Sequence, residues 1–362
     1  MRWVILSDDF SPLDGGIATW AAAVAGGLHA AGHEVLVFAR SRDRLGLDEA
    51  GRPLPYEVVP VRGPSFGRLG GWWVAAAAWS RLRKGDMVLA TTWNLATHLV
   101  GRMRWLGVPL QVAFHGSDLT RSPADARGFR RVCRYAERRW TMSAYLAGVL
   151  QGRGFQADRL AVPIDAAPPS ERRLPKRPSH WGFVGRATAL KGGDRFVRLV
   201  AAARVRGTVI GDGPALEAWR ALAQRLGAAD RMRFTGRLPR AEVLRCLPDL
   251  DLALLLPRTD VDGGGAEGLG LALIEAAAAG VATVGCRTGG VPEAVGSGLL
   301  LEDPDDVSAS LLAIEGWWTT ERGRACRDWV AERCGVTHTV RAIVTGRATP
   351  LPGCAPGTPT RP

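Results

Sequence analysis

Residues 2–39 read RWVILSDDFSPLDGGIATWAAAVAGGLHAAGHEVLVFA, and this stretch decides the fold. An apolar run, Arg2 to Ser7, meets two aspartates, and a loop carrying Gly15-Gly16 follows. Helical spacing then holds from Ile17 to Ala31, Gly32 closes it, and a second apolar run covers Val35 to Ala39. Strand, loop, helix, strand is the unit of a doubly wound parallel sheet. A parallel pair needs a crossover, and a strand apolar on both faces needs helices to cover it.

Outward from this unit the alternation continues. Apolar runs at Val58–Val61, Met87–Ala90 and Leu110–Phe114 alternate with helical stretches at Trp72–Leu82 and Leu95–Trp105, as far as about Val162. From Pro163 to Ser179 the periodicity fades among Pro163, Pro168, Pro169, Pro175 and Pro178, which reads as a linker. It then restarts, with strands expected at His180–Val184, Gly207–Ile210, Met232–Thr235, Asp251–Leu256 and Ala282–Gly285. Helices fit at Gly193–Ala203, Ala215–Leu226, Arg240–Leu247 and Gly270–Ala279. The expected class is α/β, with two Rossmann-like doubly wound parallel-sheet domains facing a central cleft. The divisions are 1–163, a Pro-rich linker 164–179, 180–318, closing helices 319–344 and a loose tail 345–362.

The formal charge of the 362 residues is +12, and it is uneven. Residues 1–178 carry 25 Lys+Arg against 15 Asp+Glu, and residues 179–362 carry 22 against 20. A basic first half suits an anionic acceptor, an anionic lipid surface or nucleic acid, and an arginine-rich composition accounts for it equally well. Trp72, Trp73 and Trp79 stand in a helical stretch bordered by Arg68, Arg81, Arg83 and Lys84. That stretch fits either a membrane-facing helix or a buried helix with a charged end. The six cysteines form no C-x-x-C pair, and a reduced cytoplasm is the expected setting. No signal-peptide pattern and no apolar run of membrane-spanning length is expected. The histidines other than His115 (His29, His33, His98, His180, His338) have no metal-ligand spacing.

Three glycine-bearing segments carry chemistry. Gly182 to Gly192 reads GFVGRATALKG, with Arg186 and Lys191 where a strand gives way to a helix. A fork-shaped guanidinium and a compact ammonium suit a diphosphate, though two solvated cations satisfy the same spacing. Val209 to Pro214 reads VIGDGP, a common tight turn. Gly263 to Ala276 reads GGGAEGLGLALIEA, the strongest of the three. Its glycines allow a ligand close to the backbone, and the helix beginning near Gly270 directs its positive end there. Glu267 and Glu275 stand among Gly, Leu and Ala, where a carboxylate needs partners such as ribose or sugar hydroxyls. Arg287 to Glu293 adds a further glycine turn with a carboxylate, expected to face the same cleft.

The order Gly185-Arg186–x4–Lys191-Gly192, Gly211-Asp212-Gly213-Pro214, Glu267–x7–Glu275 and Gly289-Gly290-x-Pro292-Glu293 resembles family-4 glycosyltransferases of the GT-B fold. Gly15-Gly16 and His115-Gly116-Ser117-Asp118 agree with it, and the resemblance runs from Arg2 to about Val344. It implies an acceptor-binding first domain, a nucleotide-sugar-binding second domain, and closing helices that cross back to the first. It also implies a retaining, metal-independent hexosyltransferase with no cofactor and no covalent nucleophile. A donor phosphate oxygen would take the acceptor proton in a same-face attack. The implied catalytic set is His115, Asp118, Arg186, Lys191 and Glu267. The implied donor contacts are Gly15, Gly16, Arg186, Lys191, Arg237, Leu238, Glu267, Gly268, Leu269, Gly270 and Glu275.

The donor would be a UDP- or GDP-sugar. The acceptor would be a glycan or lipid-linked intermediate of cell-surface polysaccharide or lipopolysaccharide synthesis, with a small molecule as the alternative. The expected location is the cytoplasm, in peripheral contact with the inner membrane face, with no nucleic acid partner. A nucleotide-sugar epimerase and a basic nucleic-acid-binding protein are the readings from other classes. The chain departs from the family pattern at Leu269, where Phe is frequent, and after Gly280, where Val281-Ala282-Thr283 lacks the usual proline.

Overall fold

The computed structural model describes residues 1–10, 15–40, 46–47, 52–61, 68–120, 125–168, 174–259 and 265–348. Gly263, Gly264, Pro169 and the expected tail from 349 onward lie outside them. The first sheet contains β1 Arg2–Ser7, β2 Glu34–Arg40, β3 Glu57–Val61, β4 Asp86–Ala90, β5 Leu110–Phe114, β6 Arg138–Thr141 and β7 Asp158–Arg159, in the order β3-β2-β1-β4-β5-β6-β7. The second contains β8 His180–Val184, β9 Arg206–Ile210, β10 Met232–Gly236, β11 Leu252–Leu254, β12 Ala282–Cys286 and β13 Leu299–Leu301, in the order β10-β9-β8-β11-β12-β13. Neighbouring strands in both sheets are parallel.

The helices of the first lobe are α1 Gly16–Ala30, α2 Arg68–Trp79, α3 Trp93–Ala96, α4 Val100–Leu106, α5 Ser117–Thr120, α6 Ala126–Tyr135 and α7 Ala144–Gly152. After the linker come α8 Gly193–Ala203, α9 Leu216–Arg225, α10 Arg240–Cys246, α11 Leu271–Ala278, α12 Val291–Val295, α13 Val307–Trp317, α14 Arg322–Arg333 and α15 Val336–Thr345. The helix expected at Leu95–Trp105 is two helices. At the break, Leu99 N–H donates to Ala96 O at 2.9 Å, a tight turn that interrupts the α ladder.

Central strand β1 shows why a parallel sheet forms. Trp3, Val4, Ile5 and Leu6 are all fully buried, and their side chains alternate. Val4 and Leu6 enter a core with residues of α2, α4, α6 and α7. Trp3 and Ile5 enter another core with α1, and this one continues into the second lobe. Strand order reverses beside β1 in one sheet and beside β8 in the other. Ligands of such sheets bind at these switch points, beyond the carboxyl ends of the strands.

The end of the chain ties the lobes together. Helix α14 packs on α11 and β12 of the second lobe, whereas α15 lies on α1 of the first. Gln111 Nε2 donates to Ile343 O at 2.9 Å, and Thr339 Oγ1 donates to Ala161 O at 2.8 Å. Gly27 of α1 makes this crossing fit, since a Cβ there would lie 2.4 Å from Val336 Cγ1 and 2.7 Å from Val340 Cγ2. Gly27→Val is therefore expected to lower the unfolding free energy by about 1–3 kcal/mol, the usual cost of overpacking. Urea unfolding checks it, and an unchanged midpoint contradicts the packing of α15 on α1.

Candidate active site at the lobe boundary

The loops leaving β1, β5, β8 and β11 converge where the lobes meet. Gly15 precedes α1, and a Cβ on Gly16 would come within 2.8 Å of Leu271 Cδ1 at the start of α11. The loop after β5 touches the loop before α11 backbone to backbone. A Cβ on Gly268 would lie 2.9 Å from both Gly116 Cα and His115 O, so only glycine fits. Ser143 Oγ donates to Gly268 O at 2.6 Å from the first lobe, and Gly290 N–H donates to Glu267 O at 2.9 Å from beneath. Leu269 is buried, and Gly270, at φ 100°, caps α11 without any side chain accepting from the first helical amides. Those amides and the helix dipole form an electropositive end of the kind that binds phosphate.

Beyond β8, Arg186 is exposed, and among the described residues no carboxylate pairs with it. Lys191, in a short 3₁₀ turn at Ala189–Lys191, makes an ion pair with Glu267. Glu275 makes an ion pair with Arg240 Nη1, at the first turn of α10. Nothing in the sequence around Arg240 marks it as a site residue. It lies 35 positions from Glu275, and no local spacing signals the pair. Arg237 is exposed and Leu238 half-buried, on the connection between β10 and α10. The two carboxylates expected to meet hydroxyls thus each hold a cation, which meets the need of a carboxylate in an apolar setting.

Two expectations gain a different role. Glu293 faces the first lobe across the boundary but is engaged there by protein: its carboxylate accepts from Ala144 N–H at 2.7 and 2.9 Å and pairs with Arg159 at 2.6 Å. It thereby caps α7 of the first lobe from the second, an anion at a helix N-terminus. Asp118 is turned to its own loop, with Oδ1 accepting from Gly116 N–H at 2.9 Å and His115 N–H at 3.1 Å. It shapes the turn that presents His115. Burial pushes the Asp118 carboxyl up to about 6 despite those amides.

The His115 ring packs edge-on against Trp20 with centroids 4.8 Å apart, and its Nε2 has no hydrogen-bond partner among the described residues. Burial drives the imidazole pKa down to about 3, so the ring is neutral at physiological pH and can exchange hydrogen bonds with a hydroxyl. No group of three or more His, Cys, Asp or Glu side chains suited to a metal ion occurs among the described residues. None of the described helices is long and apolar enough to cross a membrane.

Facing switch points, a glycine-lined lobe boundary and paired cations and carboxylates define a two-lobed α/β enzyme built to receive a phosphorylated ligand. Comparison with known proteins identifies the kind. Residues 14–163 match the model for Glycosyltransferase Family 4, and residues 169–331 match the model for Glycosyl transferases group 1. A GDP-mannose-dependent alpha-(1-6)-phosphatidylinositol monomannoside mannosyltransferase of Mycobacterium tuberculosis is 29% identical over 91% of this chain and 93% of its own length. A 2-deoxystreptamine glucosyltransferase of Streptomyces kanamyceticus is 30% identical over 65% of this chain and 69% of its own. Among solved structures, Anabaena Alr3699/HepE in complex with UDP superposes with a TM-score of 0.70 at 18% identity, covering 96% of this chain and 99% of that one. Sucrose-phosphate synthase of Thermosynechococcus elongatus gives 0.76 at 17%, covering 95% and 98%. The chain belongs to the family-4 glycosyltransferases and has the GT-B fold.

The two buried groups beside Gly116 have opposite pH signatures. His115, depressed in the fold, contributes stability that is full above its unfolded pKa of about 6.5 and is lost as pH falls toward 3. Asp118, raised in the fold, contributes stability that is full below its unfolded value of 3.8 and is lost as pH rises through about 6. Between pH 7 and 5 the wild type should lose about 1–2 kcal/mol more unfolding free energy than His115→Gln. Parallel pH curves for the two proteins contradict a buried neutral His115.

Proposed function

We propose that this glycosyltransferase moves a hexosyl residue from a nucleoside diphosphate sugar to an acceptor in the first lobe, with retention of anomeric configuration and no essential metal. The observation that carries the reading is that Lys191, through its pair with Glu267, and the uncapped start of α11 meet at the boundary where Gly268 touches Gly116, with Arg186 exposed on the same loop after β8. On this reading the diphosphate displaces Glu267 from Lys191 and also engages Arg186. The released Glu267 takes sugar hydroxyls. Glu275 takes the ribose hydroxyls, with Arg240 holding its carboxylate in place. Two cations and a helix end then neutralise the charge that grows on the leaving diphosphate, the work a metal ion does elsewhere. His115, neutral, meets the transferring sugar, while Gly15 and Gly16 let the first lobe come close to donor phosphate or acceptor.

The whole-length relatives support GDP-mannose as donor and a phosphatidylinositol-type lipid as acceptor, and on this reading the enzyme works at the inner face of the membrane in cell-surface glycan assembly. The 2-deoxystreptamine relative supports the second reading, a small-molecule acceptor.

Purified protein incubated with GDP-mannose or UDP-glucose and either a membrane lipid extract or a soluble cyclitol should yield product that is unaffected by EDTA. Its new linkage, read by NMR, should keep the donor's anomeric configuration. An inverted product rejects retention, and activity that EDTA abolishes and magnesium restores rejects metal independence. Sugar converted without any acceptor points to an epimerase. Arg186→Ala should weaken binding of the preferred nucleoside diphosphate by about 10- to 100-fold, the range for a charge-assisted hydrogen bond. Unaltered affinity in a titration removes Arg186 from the donor site.

A further inference from the structure

We propose that the outer face of the first lobe, formed by α2, α4 and α6, docks on an anionic lipid bilayer. Four of the large apolar side chains left exposed are tryptophans of α2 and α4: Trp72 at 48%, Trp73 at 40%, Trp79 at 47% and Trp105 at 74%. Trp72 and Trp73 stack edge to face at 4.9 Å. The Arg102 guanidinium lies over both Trp79, at 5.7 Å, and Trp105, at 4.7 Å, and so welds α2 and α4 into one aromatic surface. Helix α2 is held from below by Val74, Ala75 and Ala78, which are buried. Its tryptophans are therefore surplus to the core rather than displaced from it.

The charges beside these rings share one sign. Helices α4 and α6 contain Arg102, Arg104, Arg127, Arg130, Arg131 and Arg134 and no acidic residue. On α6 the buried Gly128, Phe129, Val132 and Cys133 face the sheet, and all four arginines are exposed. Among the described residues none of those four pairs with a carboxylate, unlike Arg81, which pairs with Glu57. Helix α6 packs against α4, and Arg83 and Lys84 extend the cationic rim beyond Trp79. On the second lobe, by contrast, Arg195, Arg258 and Arg287 are each paired with an acid.

Exposed indoles rimmed by unpaired cations match a lipid–water interface. Tryptophan is enriched at headgroup depth, and each basic side chain near an anionic leaflet strengthens attachment. The position on the fold is suited to it as well. Helix α2 begins beyond the carboxyl end of β3, the same edge of the sheet from which Gly15 and His115 emerge. The Trp72–Trp73 turn therefore lies at the cleft edge of the lobe, and Trp79 and Trp105 mark the far end. A bilayer along α2 runs up to the mouth of the cleft. Helices α1 and α15, on the opposite side of the sheet, stay clear of it. The docking face stands on its own observations, and the lipid acceptor proposed above is a separate reading.

The test uses binding rather than turnover, so failure of docking and failure of transfer are seen apart. The full chain is sedimented with vesicles of phosphatidylcholine alone and of phosphatidylcholine mixed with phosphatidylglycerol, at low and high salt. Expected is binding to the mixed vesicles only, weakened by salt, with tryptophan emission quenched by brominated lipid. Trp79→Ser combined with Trp105→Ser, and separately Arg127, Arg130, Arg131 and Arg134 all changed to Gln, should each reduce binding by about tenfold or more. Unchanged melting temperatures confirm that the variants fold, and the quenching of wild type gives a readout that needs no variant. Equal binding to both vesicle types, no binding to either, or full binding by both variants overturns the proposal. So does tighter binding of a DNA duplex that the vesicles cannot displace, or self-association that the tryptophan changes abolish.

Discussion

The contact on which the arrangement depends is one where no side chain is present. Gly116 and Gly268 bring the backbones of the two lobes together, and any Cβ at Gly268 would push them apart. Around that point each lobe completes the other. Ser143 binds the Gly268 carbonyl, Glu293 caps α7, and Leu271 fills the space left by Gly16. Close approach matters because electrostatic groups on different domains act on one ligand only if water between them is excluded. Helix α15 adds the hydrophobic counterpart by carrying the second lobe's core onto α1.

The second governing feature is charge held in balance. Lys191 with Glu267 and Arg240 with Glu275 are each partly buried, and each carboxylate would be costly there if left unpaired. On the proposed reading an incoming diphosphate takes the place of Glu267 on Lys191, and the sugar hydroxyls that arrive with it occupy the released carboxylate. Recognition would then be an exchange of partners within a preformed site, with little reorganisation when the leaving group gains charge.

Much of this was legible in the chain. Strands β5 and β8 and helix α8 have the limits expected from their apolar runs, and the glycine-rich segment before α11 does lie at the lobe boundary. β6 and β7 escape detection for a physical reason: β6 reads RRWT and β7, at the sheet margin, has only two residues, so neither forms an apolar run. Arg240 and the redirected Glu293 were hidden for a different one. Their roles arise from long-range contacts that local spacing does not encode. Asp118 lies beside His115, as the motif implies, and its hydrogen bonds make it a shaper of the His115 turn.

If Arg186, Lys191 and the start of α11 hold the nucleoside diphosphate at the lobe boundary, a crystal structure with GDP or UDP bound will show it. Phosphate oxygens are expected within hydrogen-bonding distance of Arg186, of Lys191 and of the amides following Gly268, with Glu267 released from Lys191. A nucleotide bound elsewhere, or a diphosphate seated while the Lys191–Glu267 pair stays intact, would contradict it.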